Sequence, residues 1–130
     1  MQTPNFVSTS MVSSIHARQI ERFGGTSGVR DEGLLESALA QPQATFGGEY
    51  LHPTISEQAA AYLYHLAMNH PFIDGNKRTA FAVADTFLRV NGCNLNLTDD
   101  RAYDLVMQVA QGTMTKEELS TEFESCIVEF

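Results

Sequence analysis

A chain of 130 residues can fill one hydrophobic core but not two comfortable ones, so residues 1–130 are expected to form a single domain. Apolar residues at 43% and charged residues at 18% exclude a largely disordered chain, and a net charge of −8 disfavours non-specific binding to nucleic-acid phosphates while favouring basic partners. Cys93 and Cys126 are far apart with no CxxC spacing, and no signal peptide or long apolar span is visible, so no membrane is implied and a reducing cytoplasm is the expected location.

Helical periodicity runs through most of the chain, which places it in the mainly α class, as a compact helical bundle. Residues 1–8 read as polar and uncapped, after which Met11, Ile15, Ile20 and Phe23 mark an amphipathic helix stopped by Gly24-Gly25. Asp31 is placed to cap a second helix through Leu34, Leu35, Ala38 and Leu39, ended by Pro42. Residues 43–53 carry Gly47-Gly48 between short β-prone pieces, the pattern of a hairpin or flap, with His52 expected to be solvated. Thr54-x-x-Glu57 is a capping box that opens an Ala-rich buried helix ending at His70. A loop from Pro71 to Gly75 leads into a helix that begins near Asn76 and stops at Asn91-Gly92. Thr98 can cap a further helix closed by Gly112, and Thr115-x-x-Glu118 opens a last one containing Leu119, Phe123 and Ile127.

The segment His70-Pro-Phe-Ile-Asp-Gly-Asn-Lys-Arg78 packs a proton-transfer group, a carboxylate, a carboxamide, two cations and a glycine into nine residues. A loop that feeds a helix N-terminus is an anion site, because unpaired N–H groups and the positive end of the helix dipole face the ligand. Gly75 permits a tight turn and close approach, Lys77 supplies a point charge, and Arg78 supplies a planar fork for phosphate. Asp74 is a carboxylate suited to Mg²⁺ accompanying a polyphosphate. His70 can act as general base toward an attacking hydroxyl. Phe72 is expected to anchor the loop to the core. Taken singly these residues would be a helix cap, a turn and solvated charges; together they fit phosphoryl or nucleotidyl transfer. A zinc site is rejected, since His65 and His70 are five apart, about 140° around a helix, unlike the i, i+4 pair of zincins. His16 and His65 are read as structural.

The string resembles the Fic superfamily signature His-x-Phe-x-(Asp/Glu)-(Gly/Ala)-Asn-(Gly/Lys)-Arg at every defined position. Phe23-Gly24-Gly25, the run Arg30 to Leu39 and Thr45-Phe46-Gly47-Gly48 look like the N-terminal half of its death-on-curing (Doc) branch. The resemblance implies His70 as catalytic base, Asp74 as Mg²⁺ ligand, and Gly75, Asn76, Lys77 and Arg78 as groups that hold the phosphates of ATP. It also implies that Lys77 stands where AMP-transferring relatives have glycine, and that Phe81 stands where they have a second arginine. In Doc-like proteins these departures accompany an inverted nucleotide, so a protein kinase is favoured over AMP transfer, with an inactive antitoxin-binding module as a third reading.

By the same resemblance Thr45, Phe46, Gly47 and Gly48 lie in a flap that pairs with an extended segment of a target protein. That target is implied to be a translation factor, elongation factor Tu by family analogy, modified on a Ser or Thr hydroxyl. Thr45 to Glu49, Thr113 to Glu117 and Ser120 to Glu124 have the spacing of the family's inhibitory helix but not its following residue. Inhibition in trans by a small antitoxin is therefore expected.

Overall fold

A computed structural model describes residues 3–130. Helix α1 (Thr9–Phe23) is followed by α2 (Glu32–Ala40), the hairpin strands β1 (Thr45–Phe46) and β2 (Glu49–Tyr50), and α3 (Ile55–Asn69). Then come α4 (Asn76–Val90), β3 (Cys93–Leu95), α5 (Asp99–Ala110), α6 (Lys116–Cys126) and β4 (Ile127–Glu129). The protein is a mainly α bundle with two small antiparallel sheets, β1–β2 and β3–β4.

Helix starts follow the expected chemistry. Side-chain oxygens of Asp31, Thr54, Thr98 and Thr115 each accept the N–H three residues on, satisfying a donor that the helix cannot pair internally. Thr115 and Glu118 form a reciprocal capping box. At Thr54 the return arm is altered: its hydroxyl donates to the Glu57 carboxylate at 2.9 Å, and the box is only half made.

Helix α3 is the central element. Ala59, Ala60, Ala61, Tyr62, Leu63, Leu66 and Ala67 are all buried, so apolar residues surround the axis as in a helix enclosed by neighbours. It packs against α2, α4, α5 and α6, and the alanines let those helices approach closely. Phe87 and Leu88 of α4, Leu105 and Val109 of α5, and Leu119 and Phe123 of α6 complete the core.

Four local expectations are corrected. Residues 6–8 pack on the core: Val7 is buried, its N–H donates to the Tyr62 hydroxyl at 2.9 Å, Phe6 stacks on Phe87, and the Ser8 hydroxyl caps α1. Helix α1 turns Val12 and His16 inward, whereas Met11 and Phe23 remain exposed. The last helix stops at Cys126, and Ile127 begins β4, which pairs with β3 in the register Leu95 to Ile127. His52 is buried rather than solvated.

His52 and His65 face the first turn of α6, where Lys116 Nζ donates to His65 Nε2 at 3.2 Å. Burial, then the Lys116 ammonium and then His52 push His65 down to about 4, and burial followed by Lys116 also lowers His52 although Glu57 and Glu117 oppose it. An unfolded histidine binds its proton near 6.5, so protonation between 6.5 and about 4 favours the unfolded chain. Urea midpoints are therefore expected to fall as pH drops through that window, and His65→Gln should flatten the dependence. An unchanged slope in the variant would contradict this origin.

Candidate active site

The motif spans the connection between α3 and α4, and its shape is imposed by the segment between α1 and α2. The main-chain N–H groups of Arg30 and Asp31 donate to the Pro71 carbonyl at 2.7 and 3.1 Å, and Ile73 N–H donates to the Gly28 carbonyl at 3.1 Å. Val29 and Phe72 form an antiparallel bridge between the same two stretches. The motif loop thus has its backbone groups satisfied by a strand-like partner from distant sequence.

Side chains reinforce that seam. Phe72 is 2% exposed, and the His16 ring stacks on it at 3.8 Å between centroids and 8° between planes. His16 Nε2 lies 2.8 Å from the Asp74 carbonyl, which only accepts, so the proton is assigned to Nε2. Asn76 folds back along the loop: Nδ2 donates to the Phe72 carbonyl and Oδ1 accepts the Phe72 N–H, both at 2.9 Å. The carboxamide therefore clamps the loop, and Gly75 occupies the helix N-cap position that Asn76 alone would suggest for itself.

The chemical groups face outward from this scaffold. His70, Asp74, Lys77 and Arg78 are exposed. His70 follows α3 in a left-handed conformation, φ 47° and ψ 55°, the one non-glycine residue with positive φ among the described residues. Asp74 Oδ2 accepts the Thr26 N–H at 3.2 Å and Oδ1 accepts the Gly75 N–H at 2.9 Å. These two bonds, with a smaller contribution from the Arg78 charge, hold the carboxyl below its usual range, so it is anionic at neutral pH. Arg78 Nη2 donates to the Gly24 carbonyl at 3.2 Å, and its guanidinium lies 5.2 Å from the centre of the Phe23 ring.

Helix α4 begins without a side-chain cap, in contrast to the five other described helices. Gly75 reaches the N-cap with φ 74°, and a Cβ there would lie 3.1 Å from Ile20 Cδ1. The first-turn N–H groups of α4, with Lys77 and Arg78 beside them, form an anion cradle directly after an ionised carboxylate. An anionic oxygen donor with remaining lone pairs is suited to a hard cation such as Mg²⁺.

The hairpin forms as expected, with Thr45 opposite Tyr50 and Phe46 opposite Glu49. Gly47 and Gly48 make its tip, Phe46 is 81% exposed, and no hydrogen bond joins it to the motif among the described residues. A separate cleft of about 420 Å³, lined by residues including His52, Glu57, Lys116 and Ser120, shares no residue with the motif.

The family described as Fic/DOC matches residues 6–88, a span that takes in both the motif and the segment that braces it. The chain belongs to the Fic/DOC family. It is 52% identical over 90 residues to Toxin Doc of Mycolicibacterium smegmatis, covering 68% of this chain and 69% of that protein. It is 34% identical over 109 residues to Protein kinase doc of Escherichia phage P1, covering 84% of this chain and 85% of that one. Membership places this Fic/DOC chain among nucleotide-using transferases, the chemistry for which the motif is equipped.

The motif is visible in the sequence, but nothing there marks a role for Arg30, Thr26 or Asn69, and His16 reads only as structural. The glycines at 24, 25 and 28 are the available signal: the first two read as a helix stop and as part of the family resemblance, and Gly28 carries no reading of its own. Gly25 has φ 118°, and a Cβ there would meet Asp74 Oδ2 at 2.6 Å. Gly25→Ala is expected to cost roughly 1–3 kcal/mol of stability through strain alone. It should also displace the Asp74 carboxylate from the Thr26 and Gly75 N–H groups, which the amide NMR shifts of those two residues would report.

Proposed function

We propose that this Fic/DOC chain is a Doc-type protein kinase, an ATP- and Mg²⁺-dependent enzyme that phosphorylates a Ser or Thr hydroxyl of a target protein. The observation that carries the reading is the uncapped N-terminus of α4 with exposed Lys77 beside it, where AMP-transferring relatives have glycine. Phe81, at the position of their second arginine, is partly buried against the core and offers no charge to a phosphate. A lysine in the cradle and no second arginine favour a nucleotide bound with its γ-phosphate toward the attacking hydroxyl.

In this reading His70 takes the proton of the target hydroxyl while the hydroxyl oxygen bonds to the γ-phosphorus. The bond from that phosphorus to the β–γ bridging oxygen breaks, and ADP leaves. The N–H groups that follow Gly75, with Lys77 and Arg78, hold the phosphates, and Asn76 keeps the loop in shape. Mg²⁺ held by Asp74 would offset charge on the phosphate oxygens. Strands β1 and β2 leave unpaired edges and an exposed Phe46, features suited to an extended target segment.

A small antitoxin as inhibitor extends the reading by likeness to a relative named a toxin, and a translation factor as target extends it by family analogy alone. A cytoplasmic setting would supply ATP and such a target. No helix among the described residues is long and apolar enough to cross a membrane.

Purified protein and its His70→Ala variant, incubated with lysate, Mg²⁺ and ATP labelled at the γ- or the α-phosphate, test the proposal. Label transferred from γ only, and lost in the variant, is expected. Transfer from α would replace the kinase by an AMP transferase. No transfer from either position would favour an inactive antitoxin-binding module.

A further inference from the structure

The last carbonyls of a helix have no partner within the helix, and the residue after it commonly takes a left-handed conformation that glycine adopts without strain. At the end of α3 that position is occupied by His70 at φ 47°. Such a conformation costs an L-residue of order 1–2 kcal/mol, so it persists only where the surroundings enforce it.

Beside the main-chain seam, one residue supplies the contacts to the carbonyls around this turn. Arg30 Nε donates to the His70 carbonyl at 2.7 Å, and Nη2 donates to the Asn69 carbonyl at 2.9 Å. The N–H of the same residue donates to the Pro71 carbonyl at 2.7 Å. Three successive carbonyls are therefore gathered by Arg30, two of them through charge-assisted bonds to a planar fork. Its positive charge also sits at the negative end of the α3 dipole.

We infer that Arg30 is a positioning residue for the transfer reaction, holding the backbone at His70 in its left-handed turn and so fixing where the imidazole leaves the chain between α3 and α4. The inference rests on the reading of His70 as general base. Arg30 is itself exposed, so its loss leaves no buried charge behind. Its effect should appear in geometry and turnover rather than in folding. A lysine side chain can bond one of the Asn69 and His70 carbonyls at a time and an alanine side chain neither, while the main-chain bond to Pro71 is kept.

The test compares the parent with Arg30→Lys and Arg30→Ala by two readouts. Backbone NMR of His70, through its amide-to-α-proton coupling and α-carbon shift, reports the turn without requiring turnover. Steady-state kinetics of transfer to the target report kcat and the KM for ATP. In Arg30→Ala the His70 signals should leave their left-handed values and kcat should fall roughly 10- to 100-fold, a loss typical of a misplaced catalytic group. KM for ATP should stay within about twofold, Arg30→Lys should lie between, and added guanidinium ion should restore part of kcat. Unchanged His70 signals in Arg30→Ala would overturn the inference, as would a kcat equal to that of the parent. Should the parent itself transfer nothing, the fault lies with the kinase reading, and the NMR comparison still decides whether Arg30 sets the turn.

Discussion

Replacing His70 by alanine is expected to slow phosphoryl transfer roughly 10²- to 10⁴-fold, the range contributed by a positioned general base. Single-turnover transfer with saturating ATP measures this, because it separates the chemical step from nucleotide binding. The same position carries a second expectation of opposite sign. His70 is exposed and lies in a conformation that glycine adopts freely, so His70→Gly should be more stable than His70→Ala by about 1 kcal/mol while being equally inactive. Chemical denaturation of the three proteins checks the order. An alanine variant as stable as the glycine variant would mean that the turn stores no strain, and near-parent activity in either would remove His70 from catalysis.

The second large effect is on stability. Phe72→Ala should destabilise the fold by about 3–5 kcal/mol, the usual cost of emptying a buried aromatic site, against a total of roughly 5–15 kcal/mol for a domain. Phe72 is almost fully enclosed, stacked on His16 and bridged to Val29. Its removal therefore opens the core and also frees the loop that carries Asp74. Phe72→Leu restores most of the volume but not the ring stack. It should recover stability before it recovers transfer, and urea melts run beside transfer assays would show the two properties separating. Equal recovery of both would mean that the stack on His16 contributes nothing to the site.

Much of the architecture could be read from local chemistry. Asp31, Thr54, Thr98 and Thr115 each precede an apolar periodic run, and a cap is a contact between residues three apart, so the sequence displays it directly. The Ser8 cap was hidden because Ser8-Thr9-Ser10 offers three equivalent candidates. Strand β4 was hidden because it continues from α6 without a glycine or proline; the adjacent β-branched Ile127 and Val128 were the signal, too short for alternation to register.

The reactive groups were legible for a related reason: nine consecutive residues bring them together through chain connectivity. Their supports were not. Arg30, His16 and Thr26 reach the motif across separations of 40, 58 and 48 residues, and nothing in local spacing marks a contact made over such distances, whether from a side chain as at Arg30 and His16 or from a main-chain N–H as at Thr26. The Asn76 carboxamide shows the converse difficulty. Its partner is only four residues away, but bonding back to the Phe72 main chain is one of several uses open to an amide at a helix start.

The seam between residues 24–31 and 69–75 also sets when the protein becomes competent during folding. Helices α3 and α4 are neighbours in sequence and can pair early, since little loop entropy separates them. Beyond the local Asn76 clamp, the motif at their junction gains its remaining partners, for Asn69, His70, Pro71, Ile73 and Asp74, only when α1 and α2 have docked. A molecule whose first two helices have transiently detached would keep most of its helix content and yet hold a slack, unbraced motif. Activity is thereby tied to the docking of the N-terminal helices. The free energy of that N-terminal opening, readable by native-state hydrogen exchange, would govern the fraction of molecules able to react.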